Sequence, residues 1–526
     1  MGVGDVLRLA RGFRLEDGLR TAVALQPAIQ RLRAEWPAKA EKERTYILKR
    51  FERQCESLTD ARQRVYHLSL LHEFTGAYRY LPPIFHYALH ECDALAERYG
   101  LWSSLLEVAF AHRSRFSPWQ AAKLDTHLRK LYRVIFEQVS GQLQNVPALA
   151  ADYRPVDNRL LLVTTQFLLG KHAPTQRVLA FARHAISALG MEVMIYNAST
   201  VPRAAEAPYH NVYLANYMEQ LDTVTCLEIE PGIHCQFAQN PARVLNFGAV
   251  DAMADVLAAF KPAKVVAMGP GNLMADVLRA SVPVAALPST AILPISEAGG
   301  IATVAPPTPL EQALLKPFEL PADAVSVIPT GFQLPAPSTP LSRTDLGLAP
   351  DAFLVLVVGN RLHAELTDRV AAIMQRLIAA APSLHFALMG LCEDFDDWLA
   401  RHPALRGRVH FSGFQADLLG AMAVGDYYLD LPRQGGGTAM AYALANGMPV
   451  AALGGDGANV AGDGLTMPSL SAAADDILAV IANSEHGAVR RAQSQARWRE
   501  IGDYDSMVKA VLSAARQRPL PRTTQT

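Results

Sequence analysis

Cysteine is scarce in this chain. Cys55, Cys92, Cys226, Cys235 and Cys392 are the only five among 526 residues. Their spacings match no common zinc pattern, and an odd, scattered set fits a reducing compartment. Net charge is missing too. With 49 Lys and Arg against 50 Asp and Glu the formal charge is -1, so no general basic field holds nucleic acid or an anionic membrane. No apolar run reaches the roughly 18 residues that cross a bilayer. At the start, Met1-Gly2-Val3-Gly4-Asp5-Val6 lacks the Ser or Thr of a myristoylation signal, and Arg8, Arg11 and Arg14 break up any signal-peptide core. A cytoplasmic protein without a transmembrane segment is expected.

Apolar residues are plentiful. They make up 50% of the chain and charged residues 19%, enough to bury sizeable cores. At about 100–200 residues per domain, the length suggests about three.

Residues 1–150 read as an all-α domain. Leu68, Leu71, Phe74 and Tyr78 recur at helical spacing, as do Leu101, Leu105, Val108 and Ala109. The same spacing runs through Leu124–Leu143. This segment carries 22 basic residues against 16 acidic, a bias too dilute for nucleic acid. After Tyr153-Arg154-Pro155, strand-like runs alternate with helical stretches. Leu160–Val163, Val193–Tyr196, Val224–Ile229, Val265–Met268 and Val282–Leu287 read as strands, with helices at Thr175–Leu189 and Leu273–Leu278. Such alternation predicts βαβ units on a mostly parallel sheet, assigned to residues 155–345. Val325–Ile328 reads as a strand between two Pro-rich segments. A second unit, 346–515, runs strand (Phe353–Val358), helix (Ala364–Ala381), strand (Leu384–Met389), short strand (Val409–Phe411) and helix (Leu418–Val424). Strand Tyr427–Leu431, helix Thr438–Asn446 and strand Pro449–Leu453 complete it. Two doubly wound domains in tandem imply a cleft, and ligands of such sheets bind beyond the carboxyl ends of the strands.

The loop Asp430-Leu431-Pro432-Arg433-Gln434-Gly435-Gly436-Gly437-Thr438 is the sharpest motif. Three glycines allow close backbone approach, and a helix start offers unpaired N–H groups at a positive dipole end. Thr438 is placed to cap the helix or donate to an oxyanion, and Arg433 to grip phosphate. Val358-Gly359-Asn360-Arg361-Leu362 ends the first strand of the same unit, so Asn360 and Arg361 are expected at the same crevice. Met389-Gly390-Leu391 and Phe411-Ser412-Gly413-Phe414 also end strands. Gly390 and Phe414 are read as walls of a base and ribose pocket, with Asp417 capping the next helix or holding a hydroxyl. Gly269-Pro270-Gly271-Asn272 and Gly454-Gly455-Asp456-Gly457 read chiefly as tight turns, although Asp456 is also a candidate acceptor for sugar hydroxyls.

Taken as a set over residues 155–510, these loops resemble the GT-B glycosyltransferases, whose two Rossmann-like domains bind a nucleotide-diphosphate sugar. The Gly359-Asn360-Arg361-Leu362 start, the Gly413-Phe414 loop, and the glycines leading to Ala443-Leu444-Ala445-Asn446-Gly447-Met448-Pro449-Val450 carry the resemblance. A helical domain ahead of that core is similar in layout to bacterial cytoplasmic protein glycosyltransferases. The resemblance implies a UDP-sugar donor, and a hexose or N-acetylhexosamine moved to a protein or glycan. It implies neither a cofactor nor a bound metal. Many retaining members carry a glutamate pair where this chain has Gln434 and Tyr442, so an inverting enzyme is the expectation here.

An inverting transfer needs a base. His172, in Gly170-Lys171-His172-Ala173-Pro174-Thr175 after the first strand, has a suitable unperturbed pKa near 6.5. Lys171 is a candidate phosphate or acceptor contact. His172, His210 and His234 lack zinc spacing, and the triplets Asp394-Phe395-Asp396 and Asp503-Tyr504-Asp505 read as acidic helix starts. The expected partners are donor and acceptor, without nucleic acid, and an oligomer is open. The alternatives are a sugar-nucleotide epimerase of the same build and a non-catalytic partner of an active transferase.

Overall fold

The fold is known from a computed structural model, which describes residues 27, 29–31, 35–36, 39–169, 172–199, 207–210, 217–241, 247–287, 293–316, 323–334, 342–344, 348, 352–433 and 435–521. The chain divides into two compact units. One comprises Met1–Ser289, Leu293–Ser326 and Val511–Thr526, and the other Thr290–Ile292 with Val327–Ala510.

The first unit opens with helices α1 (Glu41–Glu56), α2 (Ala61–Thr75), α3 (Leu81–His90), α4 (Leu95–Ala111) and α5 (Pro118–Ser140). Local chemistry sets their ends. Asp60 caps α2 by accepting from the Gln63 amide, and Gly76 closes it in the left-handed region. Ser117 and Gln120 form a capping box ahead of Pro118 at the start of α5. The buried face of α5 carries Leu124, Leu128, Leu131, Ile135, Phe136 and Val139.

These helices share one core with the sheet that follows, since Trp102, Leu128, Tyr132 and Phe136 pack in the same cluster as Leu161, Val163, Val265 and Leu273. Two contacts rivet the layers. The Trp102 ring lies so close to Gly271 that a Cβ there would sit 2.0 Å from it. The Tyr132 hydroxyl donates to Asp276 Oδ2 at 2.7 Å.

Strands β1 (Val156–Thr164), β2 (Glu192–Asn197), β3 (Cys226–Glu230), β4 (Ile233–Gln239), β5 (Pro262–Met268), β6 (Val284–Leu287), β7 (Gly300–Thr303) and β8 (Val325–Val327) form an eight-stranded sheet in the order β3-β4-β2-β1-β5-β6-β7-β8. The pairings from β4 through β7 are parallel, while β3 and β4 make an antiparallel edge hairpin. Helix α6 (Ala173–Ser187) follows β1, and the single turn α7 (Leu273–Asp276) follows β5.

Two strands escape sequence reading. The polar His234 and Gln236 dilute the apolar signal of β4, which lies near the sheet edge. The four-residue β7 starts at Gly300, too short and too poor in large apolar side chains to give a strand signal, yet it is fully buried, with Ala514 O where the Gly300 Cβ would be.

The second unit contains a five-stranded parallel sheet of β9 (Phe353–Gly359), β10 (Leu384–Gly390), β11 (Val409–Gly413), β12 (Tyr427–Asp430) and β13 (Val450–Ala452). Its order is β11-β10-β9-β12-β13. The expected helix over 364–381 is in fact two, α8 (Leu362–Glu365) and α9 (Asp368–Ala380). Thr367 makes the break, its hydroxyl accepting from the Val370 amide at 3.4 Å as the cap of α9. Helices α10 (Leu418–Met422), α11 (Gly437–Ala445) and α12 (Gly455–Ala461) follow β11, β12 and β13, and the helices Leu470–Ala482 and Ser484–Ile501 come after them.

Both sheets reverse direction beside their first strand. The second unit has its switch point between β9 and β12, and the first between β1 and β5. Open α/β sheets bind ligands at these points.

Candidate active site

In the second unit, the loops after β9 and β12 flank the switch point. The β9 loop contains Asn360, which is exposed, and half-buried Arg361 at the start of α8. The β12 loop turns at Gly435 and Gly436, with φ values of 91° and 87°. Gly436 is the N-cap of α11 and has no side chain to cap with. Thr438 is therefore not the cap, and it lies exposed within the first turn. The first-turn amides of α11 lack intrahelical partners, as at any helix start. Gln434 lies outside the described residues.

Arg433 differs most from expectation. Rather than projecting toward a ligand, its guanidinium is buried between two carboxylates. Nη2 donates to Asp430 Oδ1 at 2.9 Å and Nη1 to Glu365 Oε2 at 2.9 Å. Two carboxylates around one guanidinium leave an excess negative charge that burial penalises. Burial accordingly pushes the Asp430 carboxyl up to about 6, against the pull of Arg433 and the Tyr428 hydroxyl. The guanidinium stays charged because Asp430, Tyr428 and Glu365 outweigh its own desolvation.

The next loop joins this network. Asp456, in the first turn of α12, is buried, and its Oδ2 accepts from the Gly435 amide at 2.8 Å. Gly457 must be glycine, because a Cβ there would lie 1.7 Å from Asp430 Oδ2. Asp456 therefore braces the β12 loop, a role its place in a Gly-rich turn does not reveal.

Beyond β10 and β11 the surface turns apolar. Leu391 and Phe414 are 50% and 57% exposed at the ends of these neighbouring strands. Gly390 is buried with φ 128°, and its backbone runs against Gly359 O. Asp417 caps α10 by accepting from the Gly420 amide at 3.1 Å.

In the first unit, the loops after β1 and β5 flank the switch point. His172 is the N-cap residue of α6, and its Nδ1 lies 2.9 Å from Thr175 Oγ1. That oxygen also accepts from the Leu168 amide at 3.0 Å. When Nδ1 carries the proton and donates to Thr175, Nε2 is left as the basic nitrogen. Burial pulls the imidazole below its ordinary 6.5, so it is neutral at physiological pH. Lys171 lies outside the described residues. The β5 loop turns inward, where Asn272 caps α7 and donates to Val163 O at 2.8 Å.

Among the described residues, no group of three or more His, Cys, Asp or Glu is arranged to hold a metal ion, and no helix is long and apolar enough to cross a membrane. A cavity of about 990 Å³ opens among α2, α3 and α5, lined by Val65, Leu68, Phe85, His127, Lys130 and Val134 among others. It has an apolar floor and mixed charges at its rim, and no strand-end loop reaches it. Geometry at the switch points is the stronger guide to chemistry.

No family model matches the chain, and no curated protein matches it. Several solved structures are similar. One is a glycosyltransferase from Rickettsia africae ESF-5, at 11% identity over 68% of this chain and 98% of that one, with a TM-score of 0.48. Another is an O-GlcNAc transferase mutant from Thermobaculum terrenum, at 16% identity over 93% and 98%, with a TM-score of 0.45. A third is the Anabaena protein HepE in complex with UDP-glucose, at 16% identity over 68% and 98%, with a TM-score of 0.45. At such identities no residue role passes from them to this chain.

Proposed function

We propose that this protein is a glycosyltransferase of the GT-B class, moving a hexose or N-acetylhexosamine from a UDP-sugar to a protein or glycan acceptor. One observation carries the reading: at the switch point of the second sheet, the Gly359-Asn360-Arg361 turn faces a glycine turn that opens directly into helix α11. This pairing suits a diphosphate, whose negative charge grows as the glycosidic bond breaks. Arg361 and the amides of Gly435–Thr438, at the start of α11, are the diphosphate ligands in this proposal. Arg433 holds the loop in shape from beneath. Phe414 and Leu391 offer an apolar ledge for the base.

In an inverting transfer, the acceptor's nucleophilic atom bonds to the anomeric carbon as the carbon–oxygen bond to the diphosphate breaks. The bonding pair leaves on UDP, and the acceptor's proton passes to His172 Nε2. Neutral His172 is ready for that task, with Thr175 fixing the tautomer. No metal step is needed, because helix amides and guanidinium charge serve the leaving group. The helical segment is assigned to acceptor selection, and the location is taken as cytoplasmic.

Calorimetric titration of the full chain with UDP and UDP-sugars tests the reading. Micromolar binding that Arg361→Ala weakens is the expected result, and no binding of any nucleotide sugar would overturn it. One observation favours a second reading, a non-catalytic partner of the same fold: Asp456 already occupies the Gly435 amide. Failure of the chain to bind any nucleotide sugar would favour that alternative.

A further inference from the structure

The β12 loop already holds an anion of its own. The Asp456 carboxylate takes the Gly435 amide at 2.8 Å, from a loop so close that a Cβ on Gly455 would lie 1.7 Å from Arg433 O. A second donor at the same turn is unsatisfied. Arg433 Nε is buried without a hydrogen-bond partner among the described residues, and a Cβ on Gly436 would sit 3.2 Å from it. Buried donors of this kind are rare in folded proteins.

We propose that Asp456 is a built-in counter-ligand that holds the glycine turn before ligand arrives and must yield the Gly435 amide when a diphosphate binds. The proposal rests on the nucleotide-sugar reading and adds the regulation of that same site. Its physical basis is charge and geometry. Asp430, Glu365 and Asp456 surround the turn, while Arg433 is the guanidinium among them. A diphosphate cannot share an amide with a carboxylate without strong repulsion, so one anion replaces the other. Exchange leaves the Gly435 amide satisfied in both states. It also lowers the affinity for diphosphate, because binding displaces a charge-assisted hydrogen bond. After transfer, Asp456 retakes the amide and helps expel UDP.

The test is calorimetric titration of UDP and, separately, inorganic pyrophosphate into the full-length wild type, Asp456→Asn and Asp456→Ala. Weakening or deleting the internal competitor should tighten UDP binding about fivefold or more, with Ala at least equal to Asn. Wild-type UDP binding that both variants leave unchanged or weaken would overturn the counter-ligand while sparing the nucleotide-sugar reading. Pyrophosphate binding that tightens in the variants, with UDP inert throughout, would keep the counter-ligand and reject the nucleotide. Neither probe binding any of the three proteins would overturn both. A crystal of the wild type soaked with UDP gives a check independent of mutant folding. Asp456 Oδ2 should have left the Gly435 amide, and finding it still within hydrogen-bond distance beside bound UDP would overturn the proposal.

Discussion

Arg433 and Glu365 meet at 2.9 Å although 68 residues separate them. One lies in the loop after β12 and the other at the end of α8, so their ion pair locks two strand-end loops across the switch point. A single short break between α8 and α9 makes it possible. In the uninterrupted helix that periodicity suggests, Glu365 would continue along a helical face instead of ending one at Leu366-Thr367.

Glu365→Gln should therefore destabilise the second unit by about 1–3 kcal/mol, because it replaces a buried charge-assisted hydrogen bond between the two loops by a neutral one. A double-mutant cycle with Arg433→Met, followed by urea unfolding, should return a coupling of about 1 kcal/mol or more. Additive losses would show that the two loops are held independently.

His172→Ala should reduce turnover by about 10²–10⁴-fold while leaving UDP affinity unchanged, as expected for a general base. The wild-type rate should rise with pH through a value below 6.5, because burial lowers the imidazole pKa, and level off by neutral pH. Thr175→Val removes the acceptor that fixes the tautomer and should lower kcat more than it alters KM. A flat profile from pH 5 to 8 would remove His172 from the chemistry.

Asp276 ties α5 to the first sheet and accepts from the Tyr132 hydroxyl, the Ser296 hydroxyl and the Glu297 amide, each at 2.7 Å. Burial still raises its carboxyl from 3.8 to about 6. The folded chain thus holds this proton more tightly than the unfolded chain, and the group's contribution to stability falls as pH climbs from 4 to 6. Tyr132→Phe withdraws one donor from the carboxylate. It should cost about 1–3 kcal/mol, more at pH 8 than at pH 4, measured by denaturant unfolding at both values.

Gly457→Ala would place a methyl group 1.7 Å from Asp430 Oδ2. The network cannot give way without disturbing Arg433, so a loss of about 1–3 kcal/mol is expected, read as a lower Tm. Gly464→Ala is the control, because a Cβ there meets nothing within 4 Å.

The sequence by itself determined the alternation of strands and helices and the strand-end loops worth examining. Buried parallel strands need continuous apolar runs, and helix starts need Pro, Gly or short polar residues, so both leave local marks. Leu160–Val163, Val265–Met268 and Leu384–Met389 all lie within strands, and His172 stands directly before its helix. The tertiary structure alone decided what those loops face. Arg433 reads as a phosphate ligand because its neighbours in sequence are glycines, whereas its neighbours in space are Asp430 and Glu365. Asp456 reads as a turn residue until β13 brings it beside Gly435. Charge acts through distance, and the partners that set the charge of this site come from three separate loops.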